Sequence, residues 1–414
     1  MVSVTKHDTP ALRFDGFDDE WGAVELQQIA DIVGGGTPST SVTSFWDGDI
    51  DWYSPNEIGE TAIAKPSNKR ITRAGLANSS ARLLPAHRTV LFTSRASIGH
   101  AAILDHPATT NQGFQSFVLK NGVDAHFIYA LTSKITEIAE QLATGSTFLE
   151  ISNKTVREIE VHVPATEEQR AIGELFADLD ALIEQHRAKH VNLQQTKTAL
   201  MQRMFPQDGA YEPELRLGGF SGHWKRVSFG DTVKSFKYGV NAAATDYDGV
   251  TKYLRITDLD ESSGQFGTGL VTSPRAEEET IRDFLLEEGD MVFARTGATV
   301  GRSYLFRKDV GRTVWAGFLI RARFKRNIDP QFVAAYAQTD SYWTYVKLTS
   351  QRSGQPGLNS AEYAAMPITT PPTLEEQRAI GEVFSNLDAL IAAEHRYITQ
   401  LTQAKTALLQ HMFV

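Results

Sequence analysis

The sequence predicts an α+β chain made of one design used twice: two mixed α/β bodies, each followed by a long helix, with the two helices paired as a coiled coil about a pseudo-two-fold axis. Three observations predict it. Pro164–Phe205 and Pro372–Phe413 align without a gap at an offset of 208 (372 − 164), with 24 identities in 42 positions. Leu12-Arg13-x-x-Gly16-Phe17-x-x-x-Trp21 recurs as Leu215-Arg216-x-x-Gly219-Phe220-x-x-x-Trp224. Between these anchors the halves diverge. The resulting division is 1–163 first body, 164–206 first helix, 207–371 second body and 372–414 second helix, with 207–214 (QDGAYEPE) as the linker. A chain of 414 residues exceeds what one core usually holds.

The repeated segment reads as a helix. Thr166-x-x-Gln169 and Thr373-x-x-Glu376 have the spacing of capping boxes, just inside Pro164 and Pro372. Apolar residues then alternate at spacings of four and three: Ile172, Phe176, Leu179, Ile183, Leu193 and Leu200 in the first copy; Ile380, Phe384, Leu387, Ile391, Leu401 and Leu408 in the second. That 3.5-residue period marks a coiled-coil seam. An amphipathic helix lying on a globular core is the alternative. Pairing of the two copies is preferred because like stripes on one chain meet at high effective concentration. His186, His190, Lys197, Glu394 and Lys405 interrupt the seam and serve to fix register. Thirty-nine residues, 167–205, make roughly 58 Å of helix.

Inside the bodies, short β-rich runs (Thr89–Phe92, Phe117–Leu119, Met291–Phe293, Phe318–Ile320) are separated by Gly and Asn turns. A helical stretch follows in each, near 125–142 and 330–348. Faint echoes link the halves: Ala96-Ser97-Ile98-Gly99 with Ala298-Thr299-Val300-Gly301, and Gly113-Phe114 with Gly317-Phe318.

Composition narrows the class. Hydrophobic residues at 41% and charged residues at 22% are those of an ordinary soluble protein, and no apolar run approaches the roughly 20 residues that span a bilayer. The N-terminal residues lack the apolar core of a signal peptide, so a cytoplasmic location is expected. Zero cysteines exclude disulfides and thiolate metal sites. The net charge of −9 argues weakly against a polyanionic partner, but it hides segregation. Residues 61–104 hold seven Lys and Arg and no acid; residues 301–327 hold eight against Asp309 alone. Their similar placement predicts two basic surfaces.

Catalytic signatures are missing. No Lys follows a Gly, so there is no Walker A loop; no Asp/Glu-x-Lys tripeptide of a metal nuclease occurs; Thr370-Pro371-Pro372-Thr373 lacks the polar and aromatic groups that hold a flipped base. Gln265–Gly269 reads as a turn rather than a cofactor loop, and the eleven histidines lack metal-ligand spacing. No cofactor, metal or active site is expected in this chain.

Over its whole length the chain resembles the specificity subunit of type I restriction-modification systems. The resemblance rests on the Leu-Arg-x-x-Gly-Phe-x-x-x-Trp motif before each body and on the Glu-Gln-Arg-x-Ile-Gly helix after it. In the first body it rests also on Gly36-Thr37-Pro38-Ser39, Trp46–Trp52, Ile71-Thr72-x-x-Gly75-Leu76, Asn111–Phe114 and Gly145–Phe148; in the second, on Leu286–Gly297 and Gly357–Ser360. The resemblance implies that the bodies are target recognition domains, each binding one half of a bipartite duplex DNA site. It implies that the helices pack antiparallel and set the gap between the half-sites. It implies two modification subunits carrying S-adenosylmethionine and the methyltransferase chemistry, and two restriction subunits using ATP and Mg, as partners. Half-sites one turn apart lie roughly 34–36 Å from each other, which helices of this length can span.

DNA-contacting candidates follow. Lys69, Arg70, Arg73 and Arg88 lie in the acid-free run and suit phosphates. Arg95, Arg295 and Arg302 flank Gly turns, where they can reach a base edge or a phosphate. Asn111 and Gln112 have the amides for bidentate pairing with adenine, Asn111 being equally suited to a scaffold turn. Arg352, Gln355 and Asn359 occupy a second acid-free loop. The rival from another class is a duplicated coiled-coil scaffold that binds proteins, which the acidic balance favours. A weaker rival is the recognition module of an enzyme that combines restriction and modification differently.

Overall fold

The structure, a computed structural model, describes residues 9–95, 97–145, 149–207, 210–259 and 271–414. It resolves into two compact units: the chain up to Ala188 together with Arg396–Val414, and Lys189–His395. Each unit therefore holds one body, the start of the helix that follows it, and the end of the other long helix.

In the first unit β1 (Gly22–Glu25), the short helix α1 (Leu26–Ile29) and β2 (Ala30–Gly34) lead into the body. There follow β3 (Trp46–Tyr53), β4 (Arg70–Ile71), α2 (Arg73–Ala77), β5 (Thr89–Phe92), β6 (Ala101–Ile103), β7 (Thr109–Thr110) and β8 (Gln115–Leu119). Then come α3 (Ala125–Leu142), α4 (Asn153–Arg157), β9 (Glu160–Val163) and the long α5 (Thr166–Met204). The main sheet has the order β2-β8-β5-β6, and a second sheet the order β4-β3-β7 with β3 and β7 parallel. β1 pairs antiparallel with β9, Gly22 opposite Val163, so the body begins and ends at one place.

The second unit repeats the plan with β10 (Lys225–Ser228), α6 (Phe229–Thr232), β11 (Val233–Tyr238), β12 (Ala244–Asp246), β13 (Lys252–Leu254) and β14 (Thr272–Pro274). It continues with α7 (Glu278–Arg282), β15 (Met291–Ala294), β16 (Ser303–Leu305), β17 (Thr313–Trp315) and β18 (Leu319–Phe324). α8 (Pro330–Tyr336), α9 (Asp340–Thr349), α10 (Ser360–Ala365), β19 (Pro367–Thr370) and the long α11 (Leu374–Met412) complete it. The sheet order β11-β18-β15-β16 matches the first body's, β13 and β17 are again parallel, and β10 pairs with β19. The helical stretch expected near 330–348 is two helices, because Thr339 caps a fresh start by accepting from the Tyr342 amide.

The repeated residues build one joint twice. Arg13 Nε and Nη2 each donate to Glu168 at 2.7 Å, and Arg216 grips Glu376 in the same two-pronged way at 2.7 and 2.8 Å. Both glutamates are almost fully buried, at 2% and 1% side-chain exposure. The next residue ties the helix to its body: Gln169 Oε1 accepts from the Asp124 amide, and Gln377 Oε1 from that of Asp329. Those aspartates are the N-caps of α3 and α8, bonding the amides of Phe127 and Phe332. A side chain at Gly173 or Gly381 would strike these caps, with a Cβ 2.2 Å from Asp124 Oδ1 or 2.8 Å from the Phe332 nitrogen. The repeated Glu-Gln-Arg-Ala-Ile-Gly thus docks the first turns of one helix against the first turn of another.

The far end of the other long helix closes each core. Phe413 packs with Trp21, Phe127 and Phe176, and Phe205 with Phe332, Tyr336 and Phe384. Leu12 donates its amide to the His411 carbonyl, as Leu215 does to that of Arg203. All twelve predicted seam residues are buried or half-buried. The lysines that interrupt the seam carry reciprocal ion pairs: Lys405 with Asp180 at 2.5 Å, and Lys197 with Asp388. Lys189 similarly holds the buried Glu394 at 2.6 Å. The capping boxes differ from expectation. Thr373 Oγ1 accepts from the Glu376 amide, but Thr166 lies within its helix and donates instead to the Gly122 carbonyl.

Removing one partner of a buried ion pair leaves the other charge stranded. Arg13→Ala is expected to lower stability by about 3 kcal/mol in urea unfolding, and Arg13→Met with Glu168→Met by clearly less. Equal losses in the single and double variants would show that the pair is not the joint.

Candidate nucleic-acid interface

The DNA-contact candidates of the first body fall into two groups. Lys69 and Arg73 are exposed, at the edge of β4 and at the start of α2. The others have structural partners. Arg70 Nε lies 2.8 Å from Asp51, a carboxylate 5% exposed on β3 that also takes the Ser67 amide and His106 Nε2 at 2.9 Å. Arg88 donates to the Leu119 carbonyl at 2.6 Å. Arg95 is exposed, with Glu150 at 3.8 Å. Asn111 Oδ1 accepts from the Gly113 amide and closes a turn. Gln112 accepts from the Thr37 hydroxyl at 2.5 Å, joining that turn to the Gly36-Thr37-Pro38 loop.

In the second body the predicted basic surface is not continuous. Arg323 pairs with Asp290 and Glu287, Arg312 with Glu278, and Arg321 is 6% exposed beside Asp290. The acids come from outside the acid-poor window, brought in by sheet pairing and the α7 turn. Burial pushes the Arg321 guanidinium below its ordinary value, against the pull of Asp290. Arg302 is half-buried beside the same turn as Arg295. Arg352 is held by Glu362, and Asn359 caps α10 by accepting from the Glu362 amide at 2.9 Å.

Three predicted residues converge at one end of the β11-β18-β15 sheet. Residues 351–358 run back along 295–297: the Leu358 amide donates to the Arg295 carbonyl, Gly297 to that of Pro356, and Thr296 bridges Gly357. Gln355 lies so close to Gly297 (φ +77°) that a Cβ there would meet its Nε2 at 2.8 Å. Arg295, Gln355 and Asn359 are thereby gathered. Arg295 places its guanidinium 5.1 Å over the ring of Tyr238, whose hydroxyl accepts from the Ser360 amide at 3.1 Å. Burial raises the Tyr238 hydroxyl, but the Ser360 hydrogen bonds and the Arg295 charge more than offset it and set it below the ordinary phenol value.

The structure corrects the alignment of the halves here by one residue. Phe114 bridges Thr93, and Leu319 pairs with Ala294; both apolar side chains are fully buried. The Ser94 amide donates to the Gly113 carbonyl, and the Arg295 amide to that of Phe318. Arg295 therefore corresponds to Ser94, and Phe318 to Gly113 rather than to Phe114. A shift of one residue on a strand exchanges its faces. Tyr238 and Phe318 were missed as site residues; anchoring the alignment on buried apolar residues instead of the Gly-Phe pairs would have exposed them. Of the earlier motifs, Ala96, Ser146–Phe148 and Gln265–Gly269 lie outside the described residues. Among the described residues no cluster of three His, Asp or Glu has metal-holding geometry, and no helix is long and apolar enough to cross a membrane.

A pH dependence follows from the Asp51 network. Burial alone would lower the His106 imidazole, but Asp105 and Asp51 raise it above its ordinary value. The folded state then holds this proton more tightly, so the stabilisation is complete below the ordinary histidine value and is lost as pH rises through the raised one. Urea midpoints measured from pH 6 to 8 should fall with rising pH, and His106→Gln should remove that component. An unchanged slope in the variant would contradict it.

Comparison with known proteins places this geometry. The family described as "Type I restriction modification DNA specificity domain" matches twice, over residues 18–195 and 223–403. The specificity subunit of the type I restriction enzyme MjaIX of Methanocaldococcus jannaschii is 28% identical over 298 residues, 68% of this chain and 67% of the relative. The EcoR124I/EcoR124II specificity subunit of Escherichia coli is 31% identical over 180 residues, 41% of this chain and 43% of the relative. The fold is shared with the crystal structure of a type I restriction-modification S subunit from M. genitalium, at a TM-score of 0.69 and 16% identity, covering 98% of this chain and 99% of that one.

Proposed function

The chain belongs to the type I restriction-modification DNA specificity family, whose role is target recognition, and we propose that it reads an asymmetric bipartite duplex site, one half-site per body. The observation that carries this reading is a frame repeated almost residue for residue around faces that are not repeated. The joint of Arg, Glu, Gln and Gly recurs in both units, whereas the sheet end that carries Tyr238, Arg295 and Phe318 in one carries Gly34, Ser94 and Gly113 in the other. Unlike faces on a like frame suit unlike half-sites.

The two long helices pair antiparallel as a coiled coil and set the number of base pairs left unread. The buried seam residues and the reciprocal Lys–Asp pairs support this. The division into recognition domains 1–163 and 207–371 and spacer helices 164–206 and 372–414 goes with it. The chain supplies recognition and no catalytic step. Two modification subunits bring S-adenosylmethionine, and two restriction subunits bring ATP and Mg, in the cytoplasm. Lys69 and Arg73 contact phosphate; Arg70, Arg88 and Asn111 hold the surface that presents them.

Two outcomes test this. Bound with its modification subunits, the chain should show affinity for its duplex that falls steeply with salt, and Lys69→Ala with Arg73→Ala should reduce the log–log slope by about 2 while leaving the preferred sequence unchanged. A flat salt response would overturn the reading. Removing one heptad from the middle of each long helix should alter the spacer of the methylated motif while both half-sites persist; an unchanged spacer would show that the helices are not the ruler.

A further inference from the structure

We propose that Arg295, seated on Tyr238 and bordered by Phe318, is the group with which the second body reads a guanine in the major groove. The inference rests on the DNA-reading function proposed above and names its chemistry at one position.

Four observations carry it. Tyr238 lies opposite Ile320, and Arg295 follows Ala294, which lies opposite Leu319; by this register Tyr238, Arg295 and Phe318 share one face at the end of the sheet. Phe318 and Tyr238 are 56% and 37% exposed, a high exposure for two aromatic rings beside a cation. Arg295 Nε is buried without a hydrogen-bond partner, whereas Arg312, Arg323 and Arg352 of the same body are committed to carboxylates. The first body, on the same scaffold, has Gly34, Ser94 and Gly113 at these places, so the scaffold does not require the three side chains.

The chemistry selects the ligand. The guanidinium lies 5.1 Å from the centre of the Tyr238 ring, a contact that restricts the rotamer freedom a reading contact must otherwise overcome. The guanidinium also bonds the Tyr238 hydroxyl, and its five N–H donors leave two for parallel hydrogen bonds to a base edge. Guanine offers two adjacent acceptors, O6 and N7, in the major groove, and no other base pair presents that edge. Phe318 supplies an apolar border that excludes water or meets a neighbouring thymine methyl. A phosphate would accept the same fork but would not explain the exposed rings.

The test uses the full chain with its modification subunits, comparing the unsubstituted protein with Arg295→Ser, which installs the residue the first body carries at this position, and with Arg295→Lys. Methylome sequencing is combined with binding to duplexes altered at each base pair of the two half-sites. The expected result is that one G·C position in the half-site of the second body becomes degenerate, with discrimination there falling roughly 5- to 150-fold, while the other half-site is read as before. Arg295→Lys, which keeps the charge and loses the fork, should relax the same position, and it decides the matter if Arg295→Ser does not assemble. Equal loss of affinity for every sequence with a salt slope smaller by about 1 would make Arg295 a phosphate contact and overturn the inference; unchanged discrimination would do the same. A lack of bipartite preference in the unsubstituted complex would instead overturn the function on which it rests.

Discussion

The buried Arg–Glu grip at the start of each long helix is the interaction on which the rest of the structure depends. Arg13 reaches Glu168 across 155 positions of sequence, and Arg216 reaches Glu376 across 160. Each grip fastens the segment before a body to the helix after it. Burial makes the arrangement unforgiving, since a carboxylate at 1–2% exposure without its guanidinium would be stranded. The neighbouring Gln and Gly extend the same joint to the first turn of α3 or α8. With the paired strands β1–β9 and β10–β19, a body becomes an insert whose two ends leave side by side. Its outer loops are then free to vary without disturbing the frame.

That freedom is visible where the two bodies are compared residue by residue. Their main sheets share strand order and pairing, and Gly35 and Gly239 both lie against backbone carbonyls that a Cβ would strike. One step away, Gly34 in one body is Tyr238 in the other. The scaffold is thus held by half-buried glycines under close backbone contact and by buried apolar residues, and the exposed positions between them differ. The strands share order and pairing, whereas the side chains at the sheet end differ.

Much of this was legible in the sequence. The long helices, α3 and the division into halves follow from periodicity and repetition, which depend on local physics. The resemblance to the type I specificity family added the role. What could not be read was pairing across distance. The Arg–Glu grip joins two motifs that each repeat separately, and only their shared duplication hints that they meet. The basic run of 301–327 looked like a surface because Glu278, Glu287 and Asp290, which neutralise it, lie earlier in the chain. The match of Phe318 with Gly113 was hidden because a Gly-Phe pair in each half invited the wrong register. Asn111 was legible as a residue suited to a scaffold turn, and it accepts from the Gly113 amide; Asn359, read only as a DNA contact, caps α10 by accepting from the Glu362 amide.

The central claim is that the repeated frame measures and the unrepeated bodies choose. It is tested most directly by a chain in which residues 22–163 also replace residues 225–370, so that both copies of the frame carry the first body, assembled with the modification subunits and read by methylome sequencing. The expected motif is palindromic, built from the first half-site and its inverted copy, with the same number of unread base pairs between them. A motif that keeps the second half-site, or one in which the spacer changes while both half-sites come from the first body, would contradict it.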